Sequence, residues 1–134
     1  MTDQPTVGIV LISHSRALAE GAADVAAQVS GVGVALVGVG GTEDGRLGTS
    51  LDALARAVEK VASGAGVVVI PDLGSSVLTT RSYLDDPDAL PDVVRMVDTA
   101  FVEGAVAAAV AASAGLPIEA VVSAAEEARD VRKL

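Results

Sequence analysis

Apolar positions along the chain follow two rhythms. Val7 to Ile12, Val34 to Val39 and Val67 to Ile70 are unbroken aliphatic runs rich in β-branched residues, the pattern of strands covered on both faces. Between them, Ala17 to Val29 and Leu51 to Val61 place apolar residues three and four apart. That spacing predicts two helices, with Ser15 and Ser50 as N-caps. The stretch Pro71-Asp-Leu-Gly-Ser-Ser-Val-Leu-Thr-Thr-Arg-Ser-Tyr-Leu84 reads as a turn and a short helix capped by Ser75 or Ser76. A polar loop with Asp85, Asp86, Pro87, Asp88 and Pro91 closes it. Val93 to Val97 predicts a fourth, shorter strand with Asp98 at its end. An alanine-rich helix from about Ala105 to Ala114 follows, then a last helix from about Pro117 to Arg129, Pro117 suiting a first helical turn. The alternation predicts an α/β fold: a doubly wound, mostly parallel four-stranded sheet flanked by helices, in one domain over residues 1–134.

Composition narrows the function classes. Apolar residues make up 51% of the 134 positions but aromatics only 1%, Tyr83 and Phe101, so the core is built from Val, Leu, Ile and Ala. A net charge of -9 argues against nucleic acid, whose phosphates call for clustered Lys and Arg, and against an acidic partner. The chain has no cysteine, which excludes a disulfide framework and thiolate metal sites and fits a reducing cytoplasm. Met1 to Thr6 carries no basic region, so it is not read as a signal peptide, and Gly104 to Gly115 is too short to span a bilayer. No membrane association is expected.

Three strand ends fall on one edge of a parallel sheet and carry the polar chemistry. They are Ser13-His14-Ser15, the loop Gly38-Val-Gly-Gly-Thr-Glu-Asp-Gly-Arg-Leu-Gly-Thr-Ser50, and Asp72-Leu-Gly-Ser-Ser76. His14 is the chain's one histidine, at the position where open α/β sheets place reactive groups. A neutral imidazole is a nucleophile when a partner holds one ring nitrogen and leaves the other free, and Asp72 is the candidate partner. Helix N-termini after His14 and after Gly74 would aim backbone N–H groups at the same place, which suits a phosphoryl group. Thr42 and Arg46 are candidate anion donors, and the glycines of the second loop let its backbone approach a ligand or a partner. Each feature also has a structural reading: His14 as a solvated loop residue, Asp72 as a helix cap, the glycines as turn formers, Thr49-Ser50 as helix initiation, and Arg16, Arg46 and Arg81 as surface charges. Familiar alternatives fail. Gly38-Val-Gly40-Gly-Thr-Glu43 lacks the third glycine of a dinucleotide fingerprint, Gly41 to Ser50 lacks a P-loop lysine, and no Gly-x-Ser-x-Gly elbow is present. One His without Cys leaves no metal site expected.

Taken together, Gly8-Ile-Val-Leu-Ile-Ser-His14-Ser, Gly40-Gly-Thr-Glu-Asp-Gly-Arg-Leu-Gly-Thr-Ser50, Pro71-Asp-Leu-Gly-Ser-Ser76 and Phe101-Val-Glu-Gly-Ala105 resemble one family over nearly the whole chain. It is the phosphotransferase subunit of phosphoenolpyruvate-dependent dihydroxyacetone kinase, with the fold of mannose-type enzyme IIA domains. The resemblance implies that His14 takes a phosphoryl group from the histidine phosphocarrier protein and passes it to ADP in the ADP-binding subunit of the kinase. Asp72 would then orient and stabilise the ring, and Ser15, Gly41, Thr42, Arg46, Gly74, Ser75 and Ser76 would line the phosphate and docking surface. No cofactor is expected in this chain, ADP/ATP and Mg belonging to the partner subunit. Some relatives append phosphocarrier-like domains; the chain ends at Leu134 without them, so a separate phosphocarrier is expected. A homodimer is expected from the apolar alanine-rich helix and from mannose-type relatives. The competing classes are a non-catalytic regulatory or docking module and a tetrapyrrole metal chelatase, which also carries a histidine after its first strand.

Overall fold

The computed structural model describes residues 5–31 and 33–134; residues 1–4 of the expected domain and Val32 lie outside the described residues. Four strands, β1 (Gly8–Ser13), β2 (Leu36–Gly40), β3 (Val67–Pro71) and β4 (Val94–Met96), form an all-parallel sheet in the order β2-β1-β3-β4. Five helices join and cover them: α1 (Arg16–Ser30), α2 (Leu51–Val61), α3 (Gly74–Leu84), α4 (Phe101–Ser113) and α5 (Ile118–Glu127). The doubly wound α/β architecture matches the sequence pattern, with boundaries displaced by one or two residues at the strand ends. Larger differences occur in the helices. The alanine-rich helix begins four residues earlier, at Phe101, and the last helix tightens into a 3₁₀ turn over Ala128–Asp130.

Uniformly apolar strands are explained by two cores. Ile9 and Leu11 of β1, with Val68 and Ile70 of β3, pack against α1, α4 and α5; Val10 and Ile12, with Val67 and Val69, pack against α2 and α3. Alternate side chains thus bury on opposite faces, and no position on β1 or β3 is free to be polar except at its end. Burial of each such Val, Leu or Ile side chain stabilises the fold by roughly 1.5–3 kcal/mol before entropy is counted. Small residues let helices close onto the sheet: a Cβ on Gly38 would stand 2.4 Å from the backbone oxygen of Ala19 in α1. The alanines of α4 serve the same end. Ala105, Ala108, Ala109, Ala111 and Ala112 are buried within this chain, against α1, α5 and the sheet. The small-residue face of α4 is thus covered within this chain, while Val102 and Val110 of the same helix stay exposed.

The strand order sets the site. From β1 the chain crosses to β2 on one side, while β3 lies on the other, so the connections after β1 and β3 leave toward opposite faces. A crevice opens between the carboxyl ends of those two strands, the switch point of a doubly wound sheet.

Candidate functional site

Register brings the site together. Ile12 pairs with Pro71, and the Asp72 N–H donates to the Ile12 carbonyl at 3.1 Å, so the residues that follow, Ser13, His14 and Asp72, meet at the crevice. Ser13 is fully buried, and its hydroxyl donates to Asp72 Oδ2 at 2.6 Å while accepting the Ser15 N–H at 2.9 Å. Asp72 Oδ1 accepts three further bonds: from the Leu73 N–H at 2.6 Å, the Ser76 hydroxyl at 2.7 Å and the His14 N–H at 3.2 Å. One carboxylate therefore ties the end of β1 to the start of α3. Burial alone would raise the Asp72 carboxyl, but the bonds from Ser13, Ser76, Leu73 and His14 together outweigh it and hold it below the ordinary carboxylate range.

The imidazole of His14 has a different partner from the one the spacing suggested. Its Nδ1 lies 3.1 Å from the Ser75 hydroxyl, whereas Asp72 reaches only the His14 main chain. This corrects the expected Asp72–ring bond, and the cause is local: Asp72 is drawn to the N–H and hydroxyl donors around the α3 start, while Ser75, one turn on, faces the ring. Neither Ser75 nor Ser76 caps α3. Leu73 occupies the N-cap position with no side-chain cap, and both serines sit in the first turn with their hydroxyls directed to His14 and Asp72. The N–H groups of Gly74, Ser75 and Ser76 precede the first intrahelical bond, from Val77 to Leu73, so the positive end of α3 opens beside the ring. The half-buried His14 keeps Nε2 accessible and without a partner among the described residues.

The other expected residues lie apart. Ser15 caps α1, its hydroxyl accepting the Leu18 N–H at 3.3 Å. Gly41, at φ 75°, turns the chain out of β2 into a loop whose side chains bond to one another. The Thr42 hydroxyl donates to Asp44, and Arg46 donates to Asp44 from Nε at 2.9 Å and from Nη2 at 2.6 Å. Thr42 and Arg46 are thus occupied by a carboxylate of their own loop, and the Arg46 side chain is 82% exposed. Ser15, Gly41 and Arg46 line an open cleft on the α1 side, and Asp72 borders a second cleft of about 340 Å³ with Arg81, Asp98 and Thr99 on the β4 side. Three residues that the sequence reading gave no role at the site belong to it: Ser13, Thr49 and Thr79. Thr49 donates to the Ser75 carbonyl at 3.3 Å and lies 2.6 Å from the Thr79 hydroxyl. Ser13 was legible as a polar residue closing a fully apolar strand; the Thr49–Thr79 contact depends on how the second loop lies against α3, which carries no local signal.

Among the described residues no three His, Asp or Glu side chains gather as a metal site, and no helix is long and apolar enough to cross a membrane. The model of the EIIA-man family, described as the PTS system fructose IIA component, matches residues 8–122. The phosphoryl donor subunit DhaM of a PEP-dependent dihydroxyacetone kinase in Providencia stuartii is 30% identical over 132 residues, covering 95% of this chain and 28% of that protein. The chain thus spans little more than a quarter of that relative's length. A Listeria innocua phosphoryl donor subunit DhaM, of dihydroxyacetone kinase 2, is 33% identical over 105 residues, covering 78% of this chain and 84% of its own. A crystal structure of a protein of unknown function superposes with a TM-score of 0.80 at 26% identity, over 91% of this chain and 94% of that one. The fold and these likenesses agree: the chain belongs to the EIIA-man family, alongside the phosphoryl donor subunits of dihydroxyacetone kinase.

Proposed function

We propose that this chain is a phosphoryl carrier that takes phosphate onto Nε2 of His14 from the phosphohistidine of a separate phosphocarrier protein. It then yields that phosphate to ADP held in a partner kinase subunit, which uses the ATP formed on dihydroxyacetone. The observation that carries this reading is the His14 ring, held through Nδ1 by Ser75 at the uncapped start of α3 with Nε2 left accessible. A neutral ring that donates its Nδ1 proton to Ser75 keeps the lone pair on Nε2, the state a nucleophile needs.

Each transfer conserves atoms and charge. The Nε2 lone pair attacks phosphorus as the donor's P–N bond breaks; the donor ring, already protonated on its other nitrogen, leaves with that electron pair as neutral imidazole, while His14 keeps its Nδ1 proton and becomes the phosphorylated imidazolium. In the second step a terminal oxygen of ADP attacks the same phosphorus and His14 leaves as neutral imidazole. The protein's share is position and charge: Ser75 fixes the ring, the first N–H groups of α3 face the equatorial oxygens, and Asp72 holds the β1 and α3 ends in register. Nucleotide and Mg belong to the partner subunit on this reading.

The test is incubation with phosphoenolpyruvate, enzyme I and the histidine phosphocarrier, followed by intact mass and fragmentation. An acid-labile phosphate on His14, absent in His14→Gln, is the expected result. A folded chain that stays unmodified beside a competent donor control would instead be a docking module.

A further inference from the structure

Ser75 is held at two points. Its hydroxyl meets His14 Nδ1, and its main-chain oxygen receives the Thr49 hydroxyl from the end of the second loop at 3.3 Å. Thr49 has one hydroxyl proton, and a carbonyl only accepts. Both contacts of Thr49 are made at once only when Thr79 donates to Thr49 across the 2.6 Å contact, a relay of two hydroxyls that ends on Ser75. The residue before Thr49 grips the other member of the ring pair, because the Gly48 N–H donates to the His14 carbonyl at 2.9 Å. Two successive loop residues thus hold both ends of the Ser75–His14 contact. The Thr49 hydroxyl has no part in starting α2: Ser50 caps that helix, accepting the Ala53 N–H at 3.2 Å.

We propose that Thr49 is a positioning residue for phosphoryl transfer, acting through Ser75 to fix the orientation of the His14 ring, with Thr79 as its support. Without the Thr49 hydroxyl the first turn of α3 loses its tie to the second loop, Ser75 leaves Nδ1, and the ring loses the contact that orients it. The role in transfer rests on His14 being the phosphorylated residue; the effect on the ring does not.

Because His14 is the chain's one histidine, ¹⁵N NMR reads its two ring nitrogens without ambiguity. Thr49→Val, close in shape but without the hydroxyl, is expected to shift both ring resonances from their wild-type values, as the Nδ1 contact is lost, and to slow phosphorylation about tenfold. Thr49→Ser is expected to restore both. Wild-type ring resonances in a folded Thr49→Val variant would overturn the proposal whatever the transfer rate. Should Thr49→Val not fold, Thr79→Val interrupts the same relay and is judged by the same two resonances. A wild-type protein that takes no phosphate would refute the carrier reading and leave this ring measurement decisive.

Discussion

The end of β2 and the paired ends of β1 and β3 lie on the same edge of the sheet, yet they are built in opposite ways. At β1 and β3, polar side chains bond across elements: Ser13 and the His14 backbone reach Asp72, and the His14 ring reaches Ser75, each some sixty residues away in sequence. At β2, the loop side chains bond to near neighbours in exposed positions, Thr42 and Arg46 turning to Asp44 and Glu43 to Ser50 and Arg56 at the start of α2. The Gly48–Thr49 end of that loop is the exception, since it joins the first group. Cross-element bonds in a half-buried crevice define where a reactive ring stands; a self-bonded exposed loop defines only its own shape.

Replacing Asp72 by Asn is the largest perturbation available to the first group short of removing His14. The amide loses the charge that four donors share and turns an N–H₂ toward one of them, so a loss of about 1–3 kcal/mol in unfolding free energy is expected by chemical denaturation, with slower phosphorylation of His14. Acid should erase part of the difference. The folded carboxyl holds its proton less tightly than the unfolded one, so its contribution is complete above the unfolded value of about 4 and disappears as pH falls through the lower folded value. The wild type and Asp72→Asn should therefore differ most near neutral pH and converge below about pH 4. A constant difference across that range would show that Asp72 acts as an oriented dipole rather than a charge.

The same contrast explains what could be read from the sequence. Strand and helix order was legible because β1 and β3 bury both faces and leave no polar residue until Ser13 and Asp72, so apolar runs and their ends coincide with structure. His14 was legible as the chain's one histidine, placed at such an end. Its partner was not, because the choice between Asp72 and Ser75 is made by α3 having its N-cap position at Leu73 rather than at Ser75 or Ser76, a difference of two or three residues in a helix start. Arg46 looked like an anion donor because a cation in a glycine-rich loop carries no mark of being paired with an acid two residues before it.

Ser75→Ala sharpens the comparison from inside the crevice. Ser75 is half-buried and its hydroxyl bonds one ring nitrogen, so the fold should lose no more than about 1 kcal/mol while phosphorylation of His14 slows about tenfold. A rate equal to the wild type would mean that the ring is aimed by its backbone alone, through the bonds of His14 to Asp72 and Gly48.

The smallest effect is expected at Arg46. Its ion pair with Asp44 is exposed on both sides, and exposed pairs are screened by solvent and cost side-chain freedom, so Arg46→Ala should leave the denaturation midpoint unchanged within error. Asp44 is held below its ordinary range by the Arg46 and Thr42 bonds, but it stands in solvent and the loop backbone is fixed independently by the Thr42–Arg46 main-chain bond at 2.8 Å. Phosphorylation should slow by less than about threefold if Arg46 stays with Asp44 when the donor protein arrives, since a neutralised side chain offers a phosphate little. A loss of tenfold or more, with the midpoint unchanged, would show that Arg46 exchanges Asp44 for a partner group during transfer. Asp44→Ala would then speed the reaction by releasing the cation, and the second loop would join the crevice as part of one working site.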